Sequence, residues 1–333
     1  MPHRPKGFDA FEENALSLEQ IDDNGDDRAD SLWVSPSDAP NLSLHIRRRV
    51  PQRRTGMPVL CIHGSTVASI LFDAPDASLL DHLAAAGHSA YALDIRGYSR
   101  SQADPRVNPD QPYARACDAV KDVDAAMDRI CRLEEVSQVA LIGASWGTII
   151  AGIYASQVMP ERVSRLVLCA PLCDAVDEAE LTRLTSGQDL AALPAFRHTT
   201  AEGFWTRWTG EHRGRPGDAW KIPAVVKAVL SSFDTASSAP PSKMSMIPNG
   251  CLVDLSHSYR GSRLYEPGRI DVPTLVIRGS RDPTSTRQGA LSIFERLACA
   301  DNVYTEVAGG GHFGLIEQSG PAIRGAIAAF LNN

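Results

Sequence analysis

Short, almost unbroken apolar runs recur along the chain from residue 58 onward. Val59-Leu60-Cys61-Ile62 ends at His63-Gly64, and Ala90-Tyr91-Ala92-Leu93 ends at Asp94. Val139-Ala140-Leu141-Ile142 ends at Gly143, Leu166-Val167-Leu168-Cys169 at Ala170-Pro171, and Thr274-Leu275-Val276-Ile277 at Arg278-Gly279. Successive residues of a strand point to opposite faces, so a run without polar alternation predicts a strand buried on both sides, as in a parallel sheet. Between these runs, Asp76 to Ala86 and Tyr113 to Leu133 carry apolar residues three and four apart. In the second stretch Ala116, Val120, Val123, Met127 and Ile130 form one stripe, the pattern of a helix with one buried face. Strand and helix alternate, which predicts an α/β fold with a mostly parallel central sheet flanked by helices.

The alternation lapses between about residues 172 and 268. That stretch holds Trp205, Trp208, Trp220, Phe196, Phe204 and Phe233, together with a loose Ser/Pro segment from Ser237 to Ser242. The chain is therefore expected to consist of a core, residues 31–171 and 269–333, and a mainly helical cap inserted between them, residues 172–268. Residues 1–30 read as a loosely held arm. Their acidic cluster around Asn24-Gly25 is a solvated turn rather than a calcium loop, because Asp27 stands where such a loop needs Gly and Trp33 where it needs Glu. The arginines at 47, 48, 49, 53 and 54 flank a strand-like Leu42 to Ile46 and are expected at the open end of a surface hairpin.

Composition narrows the classes. The chain has 333 residues, enough to bury a large core without a disulfide or metal staple. The formal net charge of −7 argues against a nucleic-acid partner, which requires clustered Lys and Arg. No apolar run is long enough to predict a membrane span. The N-terminus lacks the apolar segment of a secretory signal. The seven cysteines include no C-x-x-C pair, so reduced thiols and a cytoplasmic location are expected.

The strongest chemical signal is Gly143-Ala144-Ser145-Trp146-Gly147, a G-x-S-x-G pentapeptide between an apolar strand and the helix-like run Thr148 to Gln157. A serine at such a junction projects its hydroxyl from a strained turn, and the Trp146 N–H at the start of the helix is placed to stabilise an oxyanion. A hydroxyl needs a base, and the base an orienting acid. The strand Thr274 to Ile277 leads into Gly279-Ser280-Arg281-Asp282-Pro283. The strand-like Tyr304 to Val307 leads into Gly309-Gly310-Gly311-His312-Phe313-Gly314. Ser145, Asp282 and His312 thus stand at strand ends in the order Ser, Asp, His. Asp174, after the earlier strand, is the alternative acid.

With these motifs in place, the chain from about residue 40 to 333 resembles an α/β-hydrolase fold enzyme with a cap domain. His63-Gly64-Ser65-Thr66 resembles that family's oxyanion turn, which implies the Ser65 N–H as the second oxyanion donor beside Trp146. Asp94-Ile95-Arg96-Gly97-Tyr98-Ser99 resembles its D-x-R-G-x-G turn, with Ser99 in place of the last Gly, and is read as structural. His63 is expected to brace its loop. The elbow Gly-x-Ser-Trp-Gly also resembles proline iminopeptidase-like members, but those carry an HGGPG-type turn where this chain has His63-Gly64-Ser65-Thr66. Ser at 145 disfavours haloalkane dehalogenase and epoxide hydrolase chemistry, for which this fold uses a carboxylate nucleophile.

These readings predict a serine hydrolase acting on a carboxylic ester, lactone or thioester of a small, mainly apolar molecule. No metal or organic cofactor is called for. Phe204, Trp205, Trp208 and Trp220 are candidates for the substrate wall. Cys169 and Cys173 stand near the pocket as structural thiols, and Asp254 and His257 are expected on the cap surface. The same three residues also serve acyl transfer, cyclisation or C–C bond cleavage in enzymes, and a ligand receptor on this fold would keep them without turnover. Sequence does not choose the substrate.

Overall fold

The computed structural model describes residues 30–172, 176–185, 190–212, 214, 219–233 and 244–333. The acidic arm before Asp30, Cys173, Asp174 and the Ser237–Ser242 segment lie outside the described residues. The strands in chain order are β1 (Asp30–Val34), β2 (Leu44–Arg49), β3 (Val59–Ile62), β4 (Ala90–Leu93), β5 (Val139–Ala144) and β6 (Val163–Cys169). They continue with β7 (Phe196–Thr200), β8 (Met244–Pro248), β9 (Thr274–Gly279) and β10 (Val303–Val307). The main sheet has the order β1-β2-β4-β3-β5-β6-β9-β10. From β4 to β10 all neighbours pair parallel, whereas β1 and β2 form an antiparallel edge. Every residue of β3, β4, β5 and β9 is buried, which explains why these strands read as unbroken apolar runs.

The helices are α1 (Leu79–Ala85), α2 (Ala116–Glu134), α3 (Trp146–Ile153), α4 (Glu178–Thr185), α5 (Ala201–Gly210), α6 (Pro223–Ser231), α7 (Gly250–Tyr259), α8 (Arg287–Phe294) and α9 (Gly320–Asn332). The α2 stripe Ala116, Val120, Val123, Met127 and Ile130 is buried throughout. At its N-terminus the Asp118 carboxylate accepts from the Arg115 N–H at 3.1 Å, and the chain leaves the helix through Glu135 in the left-handed region, φ 54°. Helix α3 continues into one wider π-turn, Tyr154–Val158. Among the described residues no helix is long and apolar enough to cross a membrane.

Two expectations change. The stretch between β6 and β9 is not free of strands, since β7 and β8 form an antiparallel pair there, beside α4 to α7. The β2 arginines are not at an open end. Arg49 reaches Asp81 at 2.9 Å and Asp73 at 3.3 Å, and Arg47 reaches Asp73 at 3.4 Å. These pairs tie the antiparallel edge to the α1 region and leave the strand longer than its apolar residues alone suggest.

Register positions the chemistry. Ile62 lies beside Gly143, Ala144 beside Cys169, Cys169 beside Ile277, and Gly279 beside Val307. The loops that follow β3, β5, β6, β9 and β10 therefore emerge together at the carboxyl edge of the sheet, where open α/β sheets bind their ligands.

Candidate active site

Strand β5 delivers its last residues into a turn at Ser145, whose backbone is at φ 54° and ψ −123°. A non-glycine residue rarely adopts positive φ, and the surrounding structure has to hold it there. The Ser145 N–H donates to the Cys169 carbonyl at 2.9 Å, and the Thr148 hydroxyl donates to the Ser145 carbonyl at 2.6 Å. The flanking glycines are a matter of space. A Cβ on Gly147 would stand 2.2 Å from the Ile62 carbonyl oxygen, and one on Gly143 2.4 Å from the Gly147 carbonyl oxygen. Only with both side chains absent does the end of β3 lie against the elbow, carrying the His63–Thr66 turn to the serine.

The structure brings Ser145, Asp282 and His312 together. The Ser145 hydroxyl is 2.9 Å from His312 Nε2. On the other side of the ring, Nδ1 is 2.9 Å from Asp282 Oδ2 and 3.0 Å from Oδ1. This network assigns the ring proton to Nδ1, which donates to the carboxylate, and leaves Nε2 to accept from the hydroxyl. Asp282 Oδ1 also accepts from the Thr284 and Ser285 N–H groups, each at 2.8 Å, so the carboxylate is held from its own loop. Burial by itself works against a charged His312, but the Asp282 carboxylate and, more weakly, Glu211 outweigh it and hold the imidazole above its ordinary value.

The turn after β3 borders the same cavity. Ser65 lines it beside Ser145, and Trp146 is the first residue of α3, whose initial N–H groups have no acceptor within the helix. Trp146 is fully buried, and its side chain is not part of the cavity wall. His63 has its two ring nitrogens engaged by the backbone: Nδ1 donates to the Gly64 carbonyl at 2.7 Å and Nε2 accepts from the Ile95 N–H at 3.1 Å. Asp94 joins the same scaffold, 3.0 Å from His45 Nδ1 and accepting from the Ser69 N–H at 2.9 Å. Ser99 sits at φ 48°, a conformation that explains the glycine in the resembled motif.

The cavity beside Ser145 holds about 410 Å³ of space, counting the part open to solvent. Its walls are the 64–67 turn, Leu71, Ala144, Cys169, Ala170, Arg207, Phe313 and Leu315. Phe204, Trp205, Trp208 and Trp220 are not among them. They pack on one another instead, with Phe204–Trp208 centroids 5.5 Å apart and Trp208–Trp220 5.4 Å, and the Trp208 indole donates to Glu317 at 2.9 Å. Ring-on-ring burial gives the segment between β6 and β9 a small core, and Phe313 is the ring that connects this core to the cavity, 5.1 Å from Phe204. Cys169 does reach the cavity, but burial, and then the Asp282 charge, push its thiol up to about 12, so it is a neutral wall atom.

Asp254 is not on the surface. It is 1% exposed and accepts from the Trp146 indole at 3.1 Å, the Ala116 N–H at 2.6 Å and Arg115 Nε at 2.6 Å. The expectation failed because its partners stand more than a hundred residues earlier in the chain. His257 is half-buried. Glu211, at the C-terminal end of α5, was not singled out in the sequence, yet its Oε2 accepts from the His312 N–H at 2.8 Å. Glu211, His212 and Glu317 offer atoms within 4.8 Å of one another, a donor set of metal-binding type. Here those atoms hold the histidine turn: Glu317 accepts from the Gly311 N–H at 3.0 Å and pairs with His212 at 2.9 Å. A glutamate just after an aromatic helix carries no sequence signal for such a role.

Comparison with known proteins agrees with this architecture. A curated haloalkane dehalogenase of Psychrobacter cryohalolentis is 23% identical over 316 residues, spanning 91% of this chain and 91% of the relative. A solved E-2-(acetamidomethylene)succinate hydrolase superposes with a TM-score of 0.63 at 18% identity, covering 92% of this chain and all of the other. The enol-lactonase of Burkholderia xenovorans LB400 gives a TM-score of 0.61 at 19% identity, covering 91% of this chain and 100% of the other. The family model of the alpha/beta hydrolase fold matches residues 57–319. With the sheet order and the clustered strand ends already in view, that match shows that the chain belongs to the α/β-hydrolase fold family.

Proposed function

We propose that this hydrolase cleaves a carboxylic ester, lactone or thioester of a small, mainly apolar molecule through an acyl-enzyme on Ser145. The observation that carries the reading is the continuous contact from the Ser145 hydroxyl through His312 to Asp282, at 2.9 Å on each side of the ring. His312 Nε2 takes the hydroxyl proton as Ser145 attacks the carbonyl, and Asp282 stabilises the imidazolium that results. The carbonyl oxygen becomes an oxyanion held by the Ser65 and Trp146 N–H groups. Collapse expels the alcohol or thiol, which takes the proton from His312. A water molecule, deprotonated by the same nitrogen, then attacks the acyl-enzyme and frees the acid. The elements between β6 and β9 form a lid over the nucleophile, and their Arg207 and the neighbouring Phe313 border the substrate space.

The name of the curated relative does not carry over. A serine that displaced halide from an alkyl carbon would be left as an ether. An ether has no carbonyl for water to attack, so this constellation would be blocked after one turnover. A hydroxyl backed by an imidazole and a carboxylate suits acyl chemistry, where the intermediate ester remains hydrolysable.

Fluorophosphonate labelling followed by mass spectrometry tests the reading. Labelling is expected at Ser145, with turnover on a panel of p-nitrophenyl esters and lactones of graded chain length. Ser145→Ala should lose label and lower kcat by roughly 10⁴-fold or more while keeping its folded near-ultraviolet signature. Turnover of the wild-type order in that variant would refute the mechanism. Incorporation of solvent ¹⁸O into the acid product separates hydrolysis from acyl transfer and cyclisation.

A further inference from the structure

The turn that bears Ser65 is gripped from outside the sheet. Its carbonyl oxygen lies 3.1 Å from Arg197 Nη2, on β7, and accepts the Tyr98 hydroxyl at 3.3 Å. The other arm of the guanidinium, Nη1, donates to the Pro248 carbonyl at 2.8 Å and the Asn249 amide oxygen at 3.2 Å, and stands 3.5 Å from Cys251 Sγ. These are neutral acceptors. A half-buried guanidinium held by neutral acceptors keeps its full charge directed at what it touches, and its rigid fork fixes two carbonyls in one geometry.

From this arrangement we infer that Arg197 is a positioning residue for the oxyanion turn, fixing the Ser65 peptide and setting a positive charge one peptide unit from the place where the carbonyl oxygen becomes negative. The inference rests on the serine-hydrolase reading above. The Ser65 N–H belongs to the peptide before its α-carbon and the gripped carbonyl to the peptide after it. Pinning the carbonyl anchors the peptide on the far side of the Ser65 α-carbon and so limits how far the N–H can turn. The Coulomb attraction grows only as charge develops on the substrate oxygen, so the contribution falls on the transition state and not on ground-state binding.

The test compares wild type with Arg197→Gln and Arg197→Lys on p-nitrophenyl acetate, with two inhibitors. One is an alkyl trifluoromethyl ketone, whose adduct with serine carries an oxyanion, and the other is the matching alkyl methyl carbinol, which forms no adduct. Arg197→Gln should lower kcat, and affinity for the ketone, by the same factor of about 10 to 100, with KM and carbinol affinity within about twofold. Arg197→Lys, which retains the charge without the fork, should recover part of the loss. If Arg197→Gln does not fold, the lysine variant carries the test, expected to lose kcat several-fold at constant KM. Unchanged kcat, or an equal loss of ketone and carbinol affinity, overturns the proposal. A wild-type protein that neither turns over esters nor reacts at Ser145 with fluorophosphonate removes the hydrolase reading and this proposal together.

Discussion

Gly147→Ala probes the elbow at the point where its geometry leaves least room. A methyl there would sit 2.2 Å from the Ile62 carbonyl oxygen and 2.6 Å from that of His63. An ordinary carbon–oxygen contact is above 3 Å, so the end of β3 and the first turn of α3 have to separate by about 1 Å. Both neighbours are backbone, and neither yields by rotating a side chain. Overpacking of this kind costs about 1–3 kcal/mol. With an unfolding entropy of about 0.7 kcal/mol/K for a chain of this length, Tm should fall by about 1–4 °C. The functional loss should be larger, because the two displaced segments carry the two proposed oxyanion donors, and a 1 Å misplacement at a reacting centre costs about 10²-fold. The assay pairs a thermal melt with kcat on p-nitrophenyl acetate and the second-order rate of fluorophosphonate inactivation. Gly325→Ala in α9 is the control, since nothing lies within 4 Å of a Cβ built there and alanine favours a helix. A Gly147→Ala protein with wild-type Tm and wild-type inactivation rate would refute the close approach and with it the argument for the motif.

Asp282→Asn should lower kcat by about 10⁴-fold by releasing the Nδ1–H tautomer of His312, and any residual activity should have its acid limb at lower pH than wild type. In the wild type that limb should lie above 6.5, because His312 is held above its ordinary value by Asp282. The sign for stability follows: a raised histidine contributes stability that is present below about 6.5 and is lost as pH rises through the folded value. Urea midpoints measured across that window should converge for wild type and Asp282→Asn on the alkaline side, and a gap that widens there would contradict the pairing. Asp254→Ala leaves the Trp146 indole and the Ala116 N–H without their acceptor and part-exposed Arg115 without its ion pair, and should cost about 1–3 kcal/mol, read as a shift of the urea midpoint, whereas Asp254→Asn should retain part of it. A surface-like change below about 0.5 kcal/mol would show that the burial of Asp254 is incidental.

The elements legible in the sequence are those whose burial is uniform. β3 and β4 match their apolar runs residue for residue, and β5 and β9 extend theirs by two residues, because both faces of these strands are covered; the one charged position, Arg278 in β9, is buried against Glu306. β7 escaped detection for the opposite reason: none of Phe196-Arg197-His198-Thr199-Thr200 is fully buried, so neither an unbroken run nor a clean alternation marks it. β1 is an edge strand, Asp30-Ser31-Leu32-Trp33-Val34, with too few residues to establish a period. Ser145, Asp282 and His312 were legible because Ser145 directly follows β5 and the other two stand in the glycine-marked turns just after β9 and β10, and strand ends in a parallel sheet converge whatever lies between them. The aromatic residues of the 172–268 segment were legible as apolar but not as to direction, since a tryptophan that packs on tryptophan and one that faces a ligand have the same hydrophobicity.

What the sequence concealed has one pattern. Arg197, Glu211 and Asp254 all belong to the segment between β6 and β9, and each reaches a different functional loop: Arg197 the Ser65 carbonyl, Glu211 the His312 N–H, and Asp254 the Trp146 indole. Two of the three acceptors or donors they meet are main-chain groups, which have no residue type and so leave no motif. The consequence bears on how the segment works. A lid that swung as one body would break all three contacts at once and leave buried polar groups unpaired, at about 1–3 kcal/mol each. Opening of that kind would disassemble the proposed oxyanion turn and the His312 loop along with it. The β7, α5 C-terminal and α7 regions are therefore expected to act as fixed supports, and any opening for substrate is expected in elements that make none of these contacts, with α4 and α6 the described candidates. Hydrogen exchange tests this division: amides of α4 and α6 should exchange well ahead of those of α7, and equal, cooperative exchange across the whole segment would mean that the lid moves as a unit.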